Sequence, residues 1–207
     1  MRQRQDEMPS SFFLQVEEKC QYLDYLKTKT HTHQGRKRLL LADLMLNSGL
    51  RANEICRLKI KHLPRFTGVN VVEVIDGKGH KDREVPIPQR LVDAIEDYIR
   101  LDRGRTMPRH RRRSDPNGWL FFNQLKKKYR HTALYYSVRR GAVRAGIIKL
   151  VRPHKLRHTF ATNQVDSGTP VPDLAKWLGH TDLRTTMRYC HVTGRRQFEY
   201  VERADQF

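Results

Sequence analysis

The sequence predicts an α+β fold that is mainly α-helical, with one small antiparallel sheet. Three observations carry that reading. Apolar residues recur at helical spacing over most of the chain, as at Val92, Ile95 and Ile99. Cap signals such as Gly49, Gly168 and Gly179 punctuate those segments. Only residues 69–75, 83–87 and 119–122 are β-branched, alternating or aromatic in the manner of strands, giving about three.

Taken in order, Ser10 and Ser11 are plausible N-caps for a helix that buries Phe13, Val16, Cys20 and Leu23. A loop rich in Thr and His, 28–35, ends it, and a second helix runs from about Arg36 to Asn47 with Gly49 as its C-cap. Residues 52–58 form a short third helix. Strand 69–75 pairs with strand 83–87 through a turn at Gly77-Lys78-Gly79-His80, and Pro86 and Pro88 mark an edge or a strand end. Residues 91–101 are helical. The stretch 102–117 holds Arg103, Arg105, Arg109, Arg111, Arg112 and Arg113 without a period, and reads either as a flexible exposed loop or as one that contacts DNA.

After the short strand 119–122 comes a helix at 132–145. Pro153 opens the next helix, 154–165, which stops at Gly168. Thr169 caps a further one with Pro170 in first position and Gly179 at its end. Thr181 or Asp182 caps a last one that carries Tyr189, and residues 195–207 form a candidate terminal helix.

Bulk properties bound the function. The 207 residues suffice for one large domain or two small ones, and 38% hydrophobic with 30% charged is ordinary for a soluble globular chain. The longest apolar run, 39–46, contains Asp43 and is far too short to cross a bilayer. No charged-then-apolar leader opens the sequence, so the expectation is a cytoplasmic protein without a membrane partner. Charge is less ordinary: 41 Lys plus Arg against 22 Asp plus Glu leave +19. That excess points first to nucleic acid, with a membrane surface or simple solubility as alternatives. Three scattered cysteines, Cys20, Cys56 and Cys190, form no CxxC pair, and His31 with His33 lacks nearby carboxylates or thiolates, so no metal site is expected.

Chemistry concentrates in short fragments. His154-Lys155-Leu156-Arg157 puts an imidazole and a guanidinium at i and i+3, on one helix face. That face offers a proton-transfer group beside a planar clamp for phosphate oxygens. Leu178-Gly179-His180 follows 26 residues after His154, and Tyr189 nine residues after His180. Upstream stand Gly49-Leu50-Arg51 with Glu54, and the glycine-flanked Lys78 of Gly77-Lys78-Gly79-His80-Lys81-Asp82-Arg83. In this order the fragments resemble the tyrosine recombinase (phage integrase) family over residues 10–195.

The resemblance implies an integrase-type catalytic domain with a small three-stranded sheet, and a role for each residue. Tyr189 is the nucleophile, Arg51 and Arg157 grip the scissile phosphate, and His180 hydrogen-bonds a phosphate oxygen. His154 transfers or shares a proton, Lys78 protonates the leaving 5′-oxygen with Lys81 as its competitor, and Glu54 buttresses the cluster. His158 and Thr159 are expected to serve the helix alone. Lys81, Arg111, Arg112 and Arg113 are further DNA contacts. No metal or other cofactor is implied, because two arginines supply the charge. The implied partner is double-stranded DNA, bound by a protein that is a monomer in solution and a tetramer on two sites, and an accessory directionality protein is compatible with it.

The chain starts only about fifty residues before Arg51, so it is expected to be a single catalytic domain, 1–207, without the family's N-terminal DNA-clamping domain. Its size resembles that of short bacterial DNA invertases, and a catalytic fragment is the other reading. Residues 195–207 are expected to dock on a neighbouring protomer or to fold back on their own domain. Two rivals share the fragments: a type IB topoisomerase-like relaxase, and a basic DNA-binding regulator without activity.

Overall fold

A computed structural model of the chain describes residues 12–75, 82–103, 115–125 and 127–190. Helix α1 (Val16–Lys27) starts after Gln15, whose N–H donates to the Glu18 carboxylate at 2.8 Å. Ser10 and Ser11 lie outside the described residues. The expected stripe is corrected. Because the helix begins only at Val16, Phe13 and Leu14 pack from the lead-in, Tyr22 and Leu26 turn inward, and Val16 and Cys20 face solvent.

Helix α2 (His33–Ser48) begins three residues earlier than its periodicity suggests, because the Thr32 hydroxyl accepts from the Gly35 N–H at 2.9 Å. Leu40, Leu41, Ala42, Leu44, Met45 and Leu46 are all buried, and a helix apolar on every side belongs at the centre of the fold. Helix α3 (Ala52–Arg57) and the short α4 (Pro64–Thr67) follow it.

Strands β1 (Val71–Val74) and β2 (Arg83–Pro86) pair antiparallel, with Val72 opposite Val85 and Val74 opposite Arg83. Residues 76–81, the expected turn with Lys78 and Lys81, lie outside the described residues. The expectation of a third strand is corrected to a two-stranded sheet among the described residues. Residues 119–122 do extend, but Leu120 donates to the Leu58 carbonyl at 2.8 Å, pairing with the segment after α3. Leu120, Phe121 and Phe122 are buried in succession, so neither side of this stretch is free for a solvated sheet face.

Helix α5 (Gln89–Asp97) continues into a wider turn over Tyr98–Arg103. The start of the arginine-rich stretch is also corrected. Asp102 and Arg103 are buried, Asp102 holding the Arg36 fork at 2.8 and 2.6 Å and His33 at 3.1 Å. Arg103 Nε donates to the Trp119 carbonyl at 3.1 Å. Residues 104–114, with Arg111, Arg112 and Arg113, lie outside the described residues.

Helices α6 (His131–Arg144), α7 (Pro153–Asp166), α8 (Val171–Leu178) and α9 (Arg184–Met187) complete the described fold. Two expected caps move. Pro170 precedes α8, while the Thr169 hydroxyl donates to the Gln164 side chain at 2.7 Å. The Asp182 carboxylate accepts the Arg184 N–H at 2.9 Å, and α9 is so short that Tyr189 sits in the turn beyond it. Helices α1, α6 and α7 all pack on α2. A second, smaller core between α7 and α8 gathers Phe160, Ala161, Val165, Leu174, Leu178 and Tyr189. Among the described residues no helix is long and apolar enough to cross a membrane.

Candidate active site

Gly49 ends α2 with φ +60°, and a Cβ there would meet the Phe160 ring at 2.3 Å, so only glycine turns the chain this closely into α3. Arg51 stands at the start of α3. Its N–H donates to Glu54 Oε2 at 2.7 Å, Nη1 to Oε1 at 3.0 Å, and Nη2 to the Gly179 carbonyl at 3.1 Å. Burial alone would raise the Glu54 pKa, but the hydrogen bonds and charge of Arg83, joined by Arg51, hold it below the usual carboxylate value. Glu54 is therefore an anion at neutral pH.

Arg157 projects from α7 into the protein. Nη1 donates to the Gly49 carbonyl and Nη2 to the Leu178 carbonyl, both at 2.6 Å. Burial, then the neighbouring Arg51, push its pKa down to about 10, which leaves it a cation at neutral pH. The same Nη2 lies 3.2 Å from His180 Nε2. A guanidinium only donates, so Nε2 must accept, and Nδ1 carries the proton that reaches the Thr186 hydroxyl at 2.8 Å. Burial and the charges of Arg157 and Arg51 take the His180 pKa down to about 4, in keeping with that neutral ring.

His154 stands over the edge of the His158 ring, 4.1 Å between centroids, and burial with Arg157 and Arg51 lowers its pKa. The Tyr189 hydroxyl is hydrogen-bonded to His158 Nδ1 at 2.7 Å. Burial, then His154 and Arg157, bring His158 to about 4, so its ring is neutral. Burial also raises the Tyr189 pKa, partly offset by Arg157 and Arg188. The phenol is only 3% exposed.

A cleft of about 740 Å³ opens beside this cluster, lined among others by Arg51, Glu54, His131, Tyr135, His154 and Arg157. Neither His180 nor Tyr189 lines it. The structure thus gathers Arg51, Glu54, His154, Arg157, His180 and Tyr189 into one region, as the motif order implies. Lys78, Lys81, Arg111, Arg112, Arg113 and residues 195–207 lie outside the described residues.

Three side chains were missed by reading motifs. His158, expected to serve only its helix, holds the Tyr189 hydroxyl; its place four residues after His154 on the same helix face was the available signal. Arg83 shares the inward face of β2 with Val85, a signal contained in the strand alternation. Thr186, fully buried, orients His180 and carried no signal in the sequence. Thr159 does keep to a structural task, accepting the Leu14 N–H at 2.8 Å and donating to the Lys155 carbonyl at 2.9 Å.

Known proteins share this fold. A sequence profile described as "Phage integrase family" matches residues 13–196. The tyrosine recombinase XerA of Pyrococcus furiosus is 36% identical over 173 residues, 82% of this chain and 55% of that protein. The chain spans about half the length of the curated relatives it matches. A crystal structure of XerA recombinase superposes with a TM-score of 0.74 at 26% identity, covering 93% of this chain and 64% of the other. XerH site-specific recombinase, bound to a palindromic difH substrate in a post-cleavage complex, gives 0.74 at 25% identity over 91% of this chain and 52% of its own. With the profile covering nearly all of its described residues, the chain belongs to the phage integrase family.

Proposed function

We propose that this chain cuts and rejoins DNA as a site-specific tyrosine recombinase. The carrying observation is the convergence of two guanidiniums, Arg51 and Arg157, with His154, His180 and Tyr189 beside one cleft. The +19 charge and the DNA-bound state of the XerH relative support DNA as the partner. A cytoplasmic setting fits that partner.

In the proposed reaction the Tyr189 oxygen attacks the scissile phosphorus, its proton passing to an imidazole of the cluster, with His154 as the assigned acceptor. Arg51 and Arg157 neutralise the charge that builds on the non-bridging oxygens, and His180 hydrogen-bonds one of them. The bond from phosphorus to the 5′-oxygen breaks, and Lys78 protonates that oxygen. The products are a 3′-phosphotyrosyl link and a free 5′-hydroxyl, and the 5′-hydroxyl of a partner strand reverses the step. Because the phenol is almost wholly buried against His158, it must leave that site before it attacks.

The test is a duplex selected by the protein from a random-sequence library, nicked to trap the intermediate. A 3′-linked protein–DNA adduct, and recombined junctions when two such sites are supplied, are expected. Relaxed circles without junctions would favour a topoisomerase, and binding without any adduct a regulator. The assembly we propose has four protomers on two sites cleaved together, with residues 195–207 docking on a neighbour as the family resemblance implies. Truncation at Arg195 should keep single-site binding and abolish pairing of two sites in a gel-shift series; undiminished pairing would remove the tail from the assembly.

Lys78→Ala should cleave ordinary DNA about 10²–10⁴-fold more slowly, the usual worth of a general acid. A 5′-bridging phosphorothiolate, whose leaving group needs no proton, should restore its rate. Rescue of Lys81→Ala in its place would transfer the role to Lys81. For the basic stretch, neutralising Arg111, Arg112 and Arg113 together should reduce the slope of log K against log salt by about 0.9 for each phosphate that these arginines neutralise. An unchanged slope would return these arginines to solvent.

A further inference from the structure

Strand β2 ends its inward face on Arg83, a cation that the motif assignments leave without a task. Its side chain is 6% exposed. Nη1 and Nη2 donate to the two oxygens of Glu54 at 2.9 and 2.8 Å, and Nε donates to the Trp177 carbonyl at 2.8 Å. Glu54 also accepts the backbone N–H and Nη1 of Arg51, and Arg51 Nη2 reaches the Gly179 carbonyl. The hydrogen bonds therefore close a ring: end of α8, Arg83, Glu54, Arg51, end of α8. Gly179 completes it, since a Cβ there would lie 3.1 Å from the Arg83 guanidinium carbon.

A carboxylate offers about four acceptor positions. Here four donors occupy them, two from Arg83 and two from Arg51, so Glu54 has no free rotamer to visit. A planar fork is what this needs; a lysine ammonium cannot span both oxygens and the carbonyl in one plane. Glu54 is thereby held facing Arg51, whose side chain lines the cleft.

We infer that Arg83 is a positioning residue, which fixes Glu54 so that Glu54 aims the Arg51 guanidinium at the phosphate. This rests on the proposed role of Arg51 as a phosphate clamp. Arg83 also stands five residues after Lys78 in the chain, so an effect through Lys78 has to be told apart from one through Arg51.

The measurement is single-turnover cleavage of the selected nicked duplex by the full chain, beside its affinity for that duplex and its thermal midpoint. Arg83→Lys keeps a cation on β2 but not the fork. It should cleave about 10–100-fold more slowly, the size usual for partners behind a reacting shell, with DNA affinity within about twofold. The 5′-bridging phosphorothiolate should leave the defect in place, because it bypasses only the proton donor.

The exchanged pair Glu54→Arg with Arg83→Glu restores an ion pair between β2 and α3 but removes the carboxylate beside Arg51. It should regain the thermal midpoint lost by Glu54→Arg alone and still cleave slowly. Wild-type cleavage by Arg83→Lys, full rescue by the phosphorothiolate, or restored cleavage in the exchanged pair would each overturn the positioning role. A wild-type protein that forms no adduct on the same duplex would overturn the recombinase reading itself, and this role with it.

Discussion

Tyr189→Phe is expected to form no SDS-resistant adduct with the nicked duplex, while binding that duplex as the wild type does. The ring volume is unchanged, so the small core around Phe160, Leu174 and Leu178 keeps its packing. The loss is the oxygen alone. It removes the nucleophile, and with it every covalent product, because water cannot stand in for an oxygen that must stay attached to the protein. His158 Nδ1 loses its partner, and an unpaired buried polar atom costs about 1–3 kcal/mol, so a modest fall in thermal midpoint should accompany the loss of activity. An adduct that persists in this variant would place the nucleophile elsewhere.

A second experiment is expected to separate the two arginines of the cleft. Arg51→Ala and Arg157→Ala should each lose about 10²–10³ in cleavage, as removal of one transition-state donor does. Their stabilities differ. The Arg51 side chain is 29% exposed, and its loss leaves Glu54 still held by the Arg83 fork, so the fold survives. Arg157 is 4% exposed and satisfies two carbonyls, those of Gly49 and Leu178. Leaving both unpaired costs about 1–3 kcal/mol each. At about 2–4 °C per kcal/mol for a chain of this length, the thermal midpoint of Arg157→Ala falls by several degrees. Equal midpoints for the two variants would deny Arg157 its part in joining α2, α7 and α8. A DNA-binding defect as large as the cleavage defect, in either variant, would deny that these guanidiniums act mainly on the transition state.

These expectations mix what is local with what is not, and so did the sequence. Helices such as α7 and α8 were legible because caps, Pro153 and Gly179 act within a few residues of where they stand. The antiparallel pair β1–β2 was legible from alternation and a glycine-rich turn. The third strand was not, because 119–122 takes its partner from the segment after α3, and burial on both sides erases the alternation that marks a strand. Helix α1 was placed with the wrong stripe for a related reason: its start, and so its rotation, depends on Gln15 and Glu18 closing the first turn.

The sequence by itself determined the fold class, the basic character, and the set Arg51, Glu54, His154, Arg157, His180 and Tyr189. Those residues sit in short motifs whose order is a property of the chain. Only the tertiary structure decided who holds whom. Arg83 lies 29 residues from Glu54 and 94 from Trp177, yet its fork meets both; Arg157 sets the tautomer of His180, Thr186 takes up the proton-bearing nitrogen, and His158 holds Tyr189. The physical reason is that hydrogen bonds are directional and reach only about 3 Å. Partners far apart in sequence become partners only when packing brings their atoms within that distance, and no local pattern records which buried donor will find which acceptor.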